Sequence, residues 1–331
     1  MKFKYRRYFF KWTPGLLIIL WMRSVKFKRW DNVSLYKIIK LFVRDLRENE
    51  ILIRANGVAF SFILAIFPAI IFLFTLIPYI TQYVPEVNTE SIMEFLAGMM
   101  PASMYDVIAS TVRDIISNQR GGLLTLGFVF SLYLATNGMM SLMSAFNACY
   151  KTNDKRGGFK MRMVATGLTI NMAVVIVLAI VLLVVGQLVL DYVLKNLNQL
   201  EWLEGIDKFT VYLLFFLRFL VIFIVFFLTV STIYYFGPAI HYNWRFFSIG
   251  SFLATILILA VSYGFSFYIT NFGTYNKVYG SIGVLIALMV WVQLVTVVLL
   301  VGYEVNASIH DAARMQAIWH GKRFKSEPTL Q

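Results

Sequence analysis

The side chains able to do acid–base or metal chemistry are few and scattered. His241, His310 and His320 lie far apart, and none belongs to an HExxH pair or to a His/Cys cluster with metal-ligand spacing. No phosphate-cradling GxxxxGKS or GxxxxGKT loop occurs. A hydrolase needs a nucleophile beside an activating base, and no such combination can be assembled, so no catalytic residue, metal ligand, cofactor or enzymatic role is expected. The chemistry that remains belongs to polar side chains inside apolar tracts, where ionisable groups are costly and usually functional. Asn137, Arg218 and Gln293 each fall roughly 15 to 20 Å from one end of such a tract, counting about 1.5 Å per residue. They form a candidate polar network or substrate path around Arg218, with a purely structural hydrogen-bond network as the alternative. Glu304 lies about 36 Å along its tract on the same count. Arg54, before the first tract, is its expected partner, either locking the first and last tracts together or gating them.

The tracts that must position these groups dominate the composition. Of the 331 residues, 59% are hydrophobic and 14% are charged, against about a quarter charged in a soluble domain. Apolar runs of bilayer-crossing length, roughly 20 residues, recur at 57–80, 122–147, 164–190, 209–236, 247–270 and 280–307. Tracts such as MAVVIVLAIVLLVV do not alternate as barrel strands would. The expected fold is therefore an all-α integral membrane protein with six transmembrane helices. The net charge of +13 is placed asymmetrically: fourteen Lys and Arg precede the first tract and KTNDKRGGFKMR adds five, whereas the loops after the first and third tracts are acidic. This alternation argues for a membrane partner rather than nucleic acid, and the positive-inside rule puts both termini in the cytoplasm.

Amphipathic helices are expected on both membrane faces. SLYKIIKLFVRDLRE, residues 34–48, sets Leu35, Ile38, Ile39, Phe42, Val43 and Leu46 against Lys37, Lys40, Arg44 and Arg47. It suits anionic lipid headgroups, or serves as a topology anchor. LLIILW, residues 16–21, is too short to span and reads as an interfacial segment. The loop after the first tract carries two capping-box spacings, Ser91 with Glu94 and Ser103 with Asp106, and predicts an outer helical hairpin over 86–120. Residues 1–50 form a basic interfacial segment, 51–310 the six-helix domain and 311–331 a tail. Pro68 is expected to kink the first tract. Cys149 is the single cysteine and cannot form an internal disulfide. Between the last two tracts, NFGTYNKVYG reads as a rigid outer turn built on Asn271, Gly273, Tyr275, Asn276, Tyr279 and Gly280. Gly283 and Ala287 facing Ala260 and Gly264 would let the two helices approach closely.

The stretch NFGTYNKVYGSIGVLIALMVWVQLVTVVLLVGYEVNASI, together with RANGVAFSFILAIFPAIIFLF, resembles the YihY/BrkB family of bacterial inner-membrane proteins over roughly residues 45–310. The resemblance implies a multi-pass protein of the bacterial cytoplasmic membrane that moves envelope lipids or small solutes outward. With the residues above, it leads to an expected exporter or flippase-like activity on an anionic or amphipathic envelope substrate of unknown identity. A non-transporting envelope scaffold is the alternative, and a homo-oligomer is left open. An older family label, ribonuclease BN, conflicts with three scattered histidines, so ribonuclease activity ranks third.

Overall fold

The computed structural model describes residues 14–27, 33–48, 50–80, 89, 90, 93, 94, 97, 102–150, 152, 154–197, 207–239, 246–271 and 274–319. Its elements run α1 (Pro14–Ser24), β1 (Lys26–Phe27), β2 (Val33–Ser34), α2 (Leu35–Glu48), α3 (Ile51–Ile80), α4 (Ala102–Ser117), α5 (Gly121–Cys149), α6 (Gly158–Leu197), α7 (Asp207–Phe236), α8 (Ile249–Asn271) and α9 (Thr274–Trp319). The strands form a minimal antiparallel pair, Lys26 opposite Ser34 and Phe27 opposite Val33. Among the described residues, six helices are long and apolar enough to cross a membrane: α3, α5, α6, α7, α8 and α9. Their outward side chains stay apolar: Ile53, Phe60, Phe130, Val177 and Phe216 are all more than half exposed. Such a surface suits lipid as its solvent.

The six spans form a closed ring. Each packs against its neighbours in chain order, and α9 returns to pack against α3. The closest pair is α3 and α5, an antiparallel contact set by two glycines. A side chain at Gly127 would meet the Phe72 backbone, 3.1 Å from its nitrogen, and one at Gly138 would meet the Phe62 ring at 2.8 Å. Pro68 and Pro78 both lie inside α3, and the helix continues through them.

Burial is concentrated at one end, here called the base. The main core joins Ile51, Ala55 and Val58 of α3, Met139 to Cys149 of α5, Ala165 and Leu168 of α6, Val230 to Tyr234 of α7, Ala254 and Ile258 of α8, and Leu299 to Ala307 of α9. The N-terminal ends of α3, α6 and α8 thus meet the C-terminal ends of α5 and α7 and the later half of α9. Alternate spans therefore run in opposite directions.

Two helices greatly exceed a bilayer. At about 1.5 Å per residue, the 46 residues of α9 reach about 69 Å and the 40 of α6 about 60 Å, against about 30 Å of hydrocarbon. The excess of α9 carries β2 and α2: Val33, Ile38 and Leu41 pack on Ile309, Ala312 and Ala313, and Lys37 Nζ donates to Gln316 Oε1 at 3.0 Å. Residues 311–319 are the last turns of α9, and α2 docks onto that helix. At the other end, the second arm of the expected hairpin is α4. Val112 and Ile116 of α4 bury Met93 beside Phe74 and Ile77 of α3.

Candidate functional site

The ring is sealed at the base by aromatic rings from its second, fourth and sixth spans. Phe146 of α5 lies 4.3 Å from Tyr303 of α9 and 5.5 Å from Tyr234 of α7, centroid to centroid, and Tyr234 and Tyr303 meet edge to face at 5.3 Å. All three are at most 2% exposed. The Tyr234 hydroxyl donates to the Leu299 carbonyl at 2.6 Å, which satisfies the polar end of a buried ring and ties α7 to α9.

Two polar ties flank this plug. In the first, Asp154 and Arg156 in the loop after α5 form a forked pair. Arg156 Nη2 and Nε donate to Asp154 Oδ2 at 2.7 and 3.1 Å, and Nε also donates to Oδ1 at 3.0 Å. Arg156 Nη2 further donates to the Gly237 carbonyl at 2.8 Å, at the C-terminal end of α7, where a cation complements the exposed carbonyls. Asn147 of α5 donates to Asp154 at 3.2 Å and accepts from the Ala239 backbone N–H at 2.8 Å. Burial pushes the Asp154 carboxyl up, but the hydrogen bonds from the Arg156 side chain and backbone, with Asn147, outweigh it and hold the group below its ordinary range.

The second tie is a serine–asparagine cluster joining α7, α8 and α9. Asn306 Oδ1 accepts from the Gly250 N–H at 2.8 Å and its Nδ2 donates to Ser248 Oγ at 2.9 Å. Ser248 Oγ accepts from the Ser251 N–H at 3.0 Å as the N-cap of α8, and Ser231 Oγ donates to Ser251 Oγ at 3.1 Å. Here α8 and α9 cross almost in contact: a side chain at Gly250 would strike the Gly302 carbonyl, and one at Gly302 would lie 2.6 Å from Ala254 Cβ. This is where the small residues act. The expected close approach at Gly264 is absent, with nothing within 4 Å of an added Cβ.

Arg54 and Glu304 come to the same place at the base. The buried Cys149 thiol lies within electrostatic range of both Glu304 and Arg54. Glu304 is fully buried, whereas Arg54 is exposed. Of the residues expected around Arg218, two have hydrogen-bond partners on other helices. Asn137 Oδ1 accepts from Arg162 Nη2 at 3.0 Å, and Gln293 Nε2 donates to Asn56 Oδ1 at 2.8 Å. Each amide thus serves a basic or amide group on an adjacent helix. Arg218 is half-buried on α7, eleven residues from Asp207 and eighteen from Phe236.

Of the signature turn, Gly273 lies outside the described residues. Asn271 ends α8, and Tyr275, Asn276, Tyr279 and Gly280 belong to the first turns of α9, so the stretch is mainly helix rather than turn. The side chains of these five lie outside the described residues. So do His241 and His320. Among the described residues, no three His, Cys, Asp or Glu side chains gather as a metal site would require.

Sequence reasoning missed Asn147, Asp154, Arg156, Arg162, Ser248 and Asn306. A signal existed for some: Asp154 accepts from the Arg156 backbone N–H at 2.9 Å, the local turn that an Asp in a polar loop favours.

Comparison with known proteins agrees with this architecture. The model of the virulence factor BrkB family matches residues 42–324. The chain belongs to that family. It is 30% identical to the ribonuclease-like protein YfkH of Bacillus subtilis over 266 residues, covering 79% of this chain and 91% of the relative. It is 23% identical to a UPF0761 membrane protein of Alteromonas mediterranea, covering 89% and 95%, and 21% identical to one of Mannheimia succiniciproducens, covering 86% and 93%. No solved structure matches. The chain is thus a multi-pass membrane protein of the BrkB family.

Proposed function

We propose that this protein moves an anionic or amphipathic envelope substrate across the bacterial cytoplasmic membrane, as an exporter or flippase. One observation supports the reading: all six spans converge at the base, where Phe146, Tyr234 and Tyr303 are buried against one another. A ring closed at one end by an aromatic plug is what alternating access asks of one of its two states. The basic residues of α2 and of the loop after α5 lie at the base, so the positive-inside rule orients it, with both termini, toward the cytoplasm. The exposed Lys40, Arg44 and Arg47 of α2, interleaved with exposed Ile39 and Val43, suit an anionic lipid surface. Arg218 is the candidate contact for the substrate's negative charge, and no catalytic role is assigned.

The test is reconstitution in vesicles with fluorescent phosphatidylglycerol, using dithionite to quench the outer leaflet. Wild-type protein should raise the fraction quenched with time, and Arg218→Gln should slow it. Wild-type vesicles that behave like protein-free ones would overturn the reading. A scaffold role is the second reading, supported by the packed α4 platform. Deleting residues 86–118 should then abolish partner capture, while a transporter retains movement.

A further inference from the structure

We propose that Arg162, with Tyr133 and Asn137, forms a binding site for the headgroup phosphate of an anionic membrane lipid where α5 meets α6. The Arg162 guanidinium lies over the Tyr133 ring, 4.6 Å from its centroid, and donates to Asn137 Oδ1 at 3.0 Å. Both partners are neutral. Among the described residues no carboxylate pairs with Arg162, whereas Arg44, Arg120 and Arg156 each hold an Asp. A guanidinium has five N–H donors in a planar fork, and Asn137 takes one of them. The ring holds the fork in one plane, leaving the other donors for an anion that accepts two parallel hydrogen bonds, as phosphate does.

The surroundings favour a lipid over a dissolved ion. Arg162 stands four residues beyond Gly158, about 6 Å into α6, just past the polar loop of Asp154 and Arg156. On the same helix Phe159 and Met163 are 81% and 61% exposed, and Lys160 is exposed. Apolar surface for a chain therefore adjoins cations for a phosphate. The site does not depend on transport: it binds whether or not the lipid moves.

Native mass spectrometry of the delipidated full-length protein in uncharged detergent tests this, with dihexanoyl-phosphatidylglycerol as probe. Wild type should retain one more tightly held lipid than Arg162→Gln, and titration should show the variant's site weakened at least about tenfold, the scale of a lost charge-assisted fork. Arg162→Lys, which keeps charge but not the fork, and Tyr133→Leu should each weaken binding about threefold. They carry the test if Arg162→Gln does not fold, with protection of the Cys149 thiol reporting folding. Dihexanoyl-phosphatidylcholine should bind more weakly, and inorganic phosphate should not compete at equal concentration. Equal lipid retention by wild type and all folded variants would overturn the proposal. Competition by inorganic phosphate as effective as that by the lipid would overturn the lipid assignment. Transport in vesicles read in parallel separates this result from the failure of the transport reading.

Discussion

Arg156→Ala should loosen the base, and the protein carries its own reporter. Arg156 holds both oxygens of Asp154 and the Gly237 carbonyl, so its loss strands a carboxylate and frees the end of α7. Removing one partner of a fully buried ion pair costs about 3–5 kcal/mol. Side-chain exposures of 14% for Arg156 and 15% for Asp154 let water recover part of that, leaving about 2 kcal/mol. At about 1.4 kcal/mol per factor of ten, the open population of the base should rise about 25-fold. Cys149 is the single cysteine, 6% exposed, two residues beyond Asn147. A maleimide dye can reach it after the base opens. Its labelling rate at neutral pH, below the unfolding temperature, reads that population directly. Arg156→Lys should raise the rate severalfold. Arg120→Ala should leave it unchanged, because the Arg120–Asp114 pair is 45% and 50% exposed and such pairs contribute about 0–1 kcal/mol. An Arg156→Ala rate within about threefold of wild type, or an equal rise in Arg120→Ala, would refute the view that this pair latches the base.

Further outcomes follow from the same geometry. The Asp154 carboxyl titrates below its ordinary 3.8 in the folded protein, so its stabilisation is complete above about pH 4 and is lost as pH falls through the folded value. Thermal unfolding followed by tryptophan fluorescence should show the gap between wild type and Asp154→Asn constant from pH 7 to about 4 and closing below it. Gly302→Ala should destabilise by about 1–3 kcal/mol, since its Cβ must fit against Ala254 and the Tyr234 hydroxyl, whereas Gly264→Ala should be neutral or stabilising by up to about 1 kcal/mol; thermal midpoints compare them. Tyr234→Phe removes a hydrogen bond to Leu299 and should cost about 1 kcal/mol, read as a roughly fivefold faster Cys149 labelling.

The six spans, their order and the amphipathic α2 follow from the sequence, because apolar length and periodicity are local properties that lipid and the protein interior both read. The expected ends at 57–80 and 280–307 fall short of Ile51–Ile80 and Thr274–Trp319. Hydropathy marks the hydrocarbon, and the extra turns at 51–56 and 308–319 are held by protein contacts at the base. Which polar groups meet was decided by tertiary structure. Asn137 pairs with Arg162 and Gln293 with Asn56 because helix rotation and crossing bring those faces together, and neither is written in the spacing along one helix. The same holds for the α8–α9 crossing: Gly264 and Gly302 are alike as letters, yet a methyl group added at the first would face open space and one added at the second would stand 2.7 Å from a tyrosine hydroxyl. The amino-acid order determined that six apolar helices would form with their cations segregated. The packing of the ring determined that Phe146, Tyr234 and Tyr303 would close one end of it, since side chains from three helices distant in sequence share a site once the chain has wound back on itself.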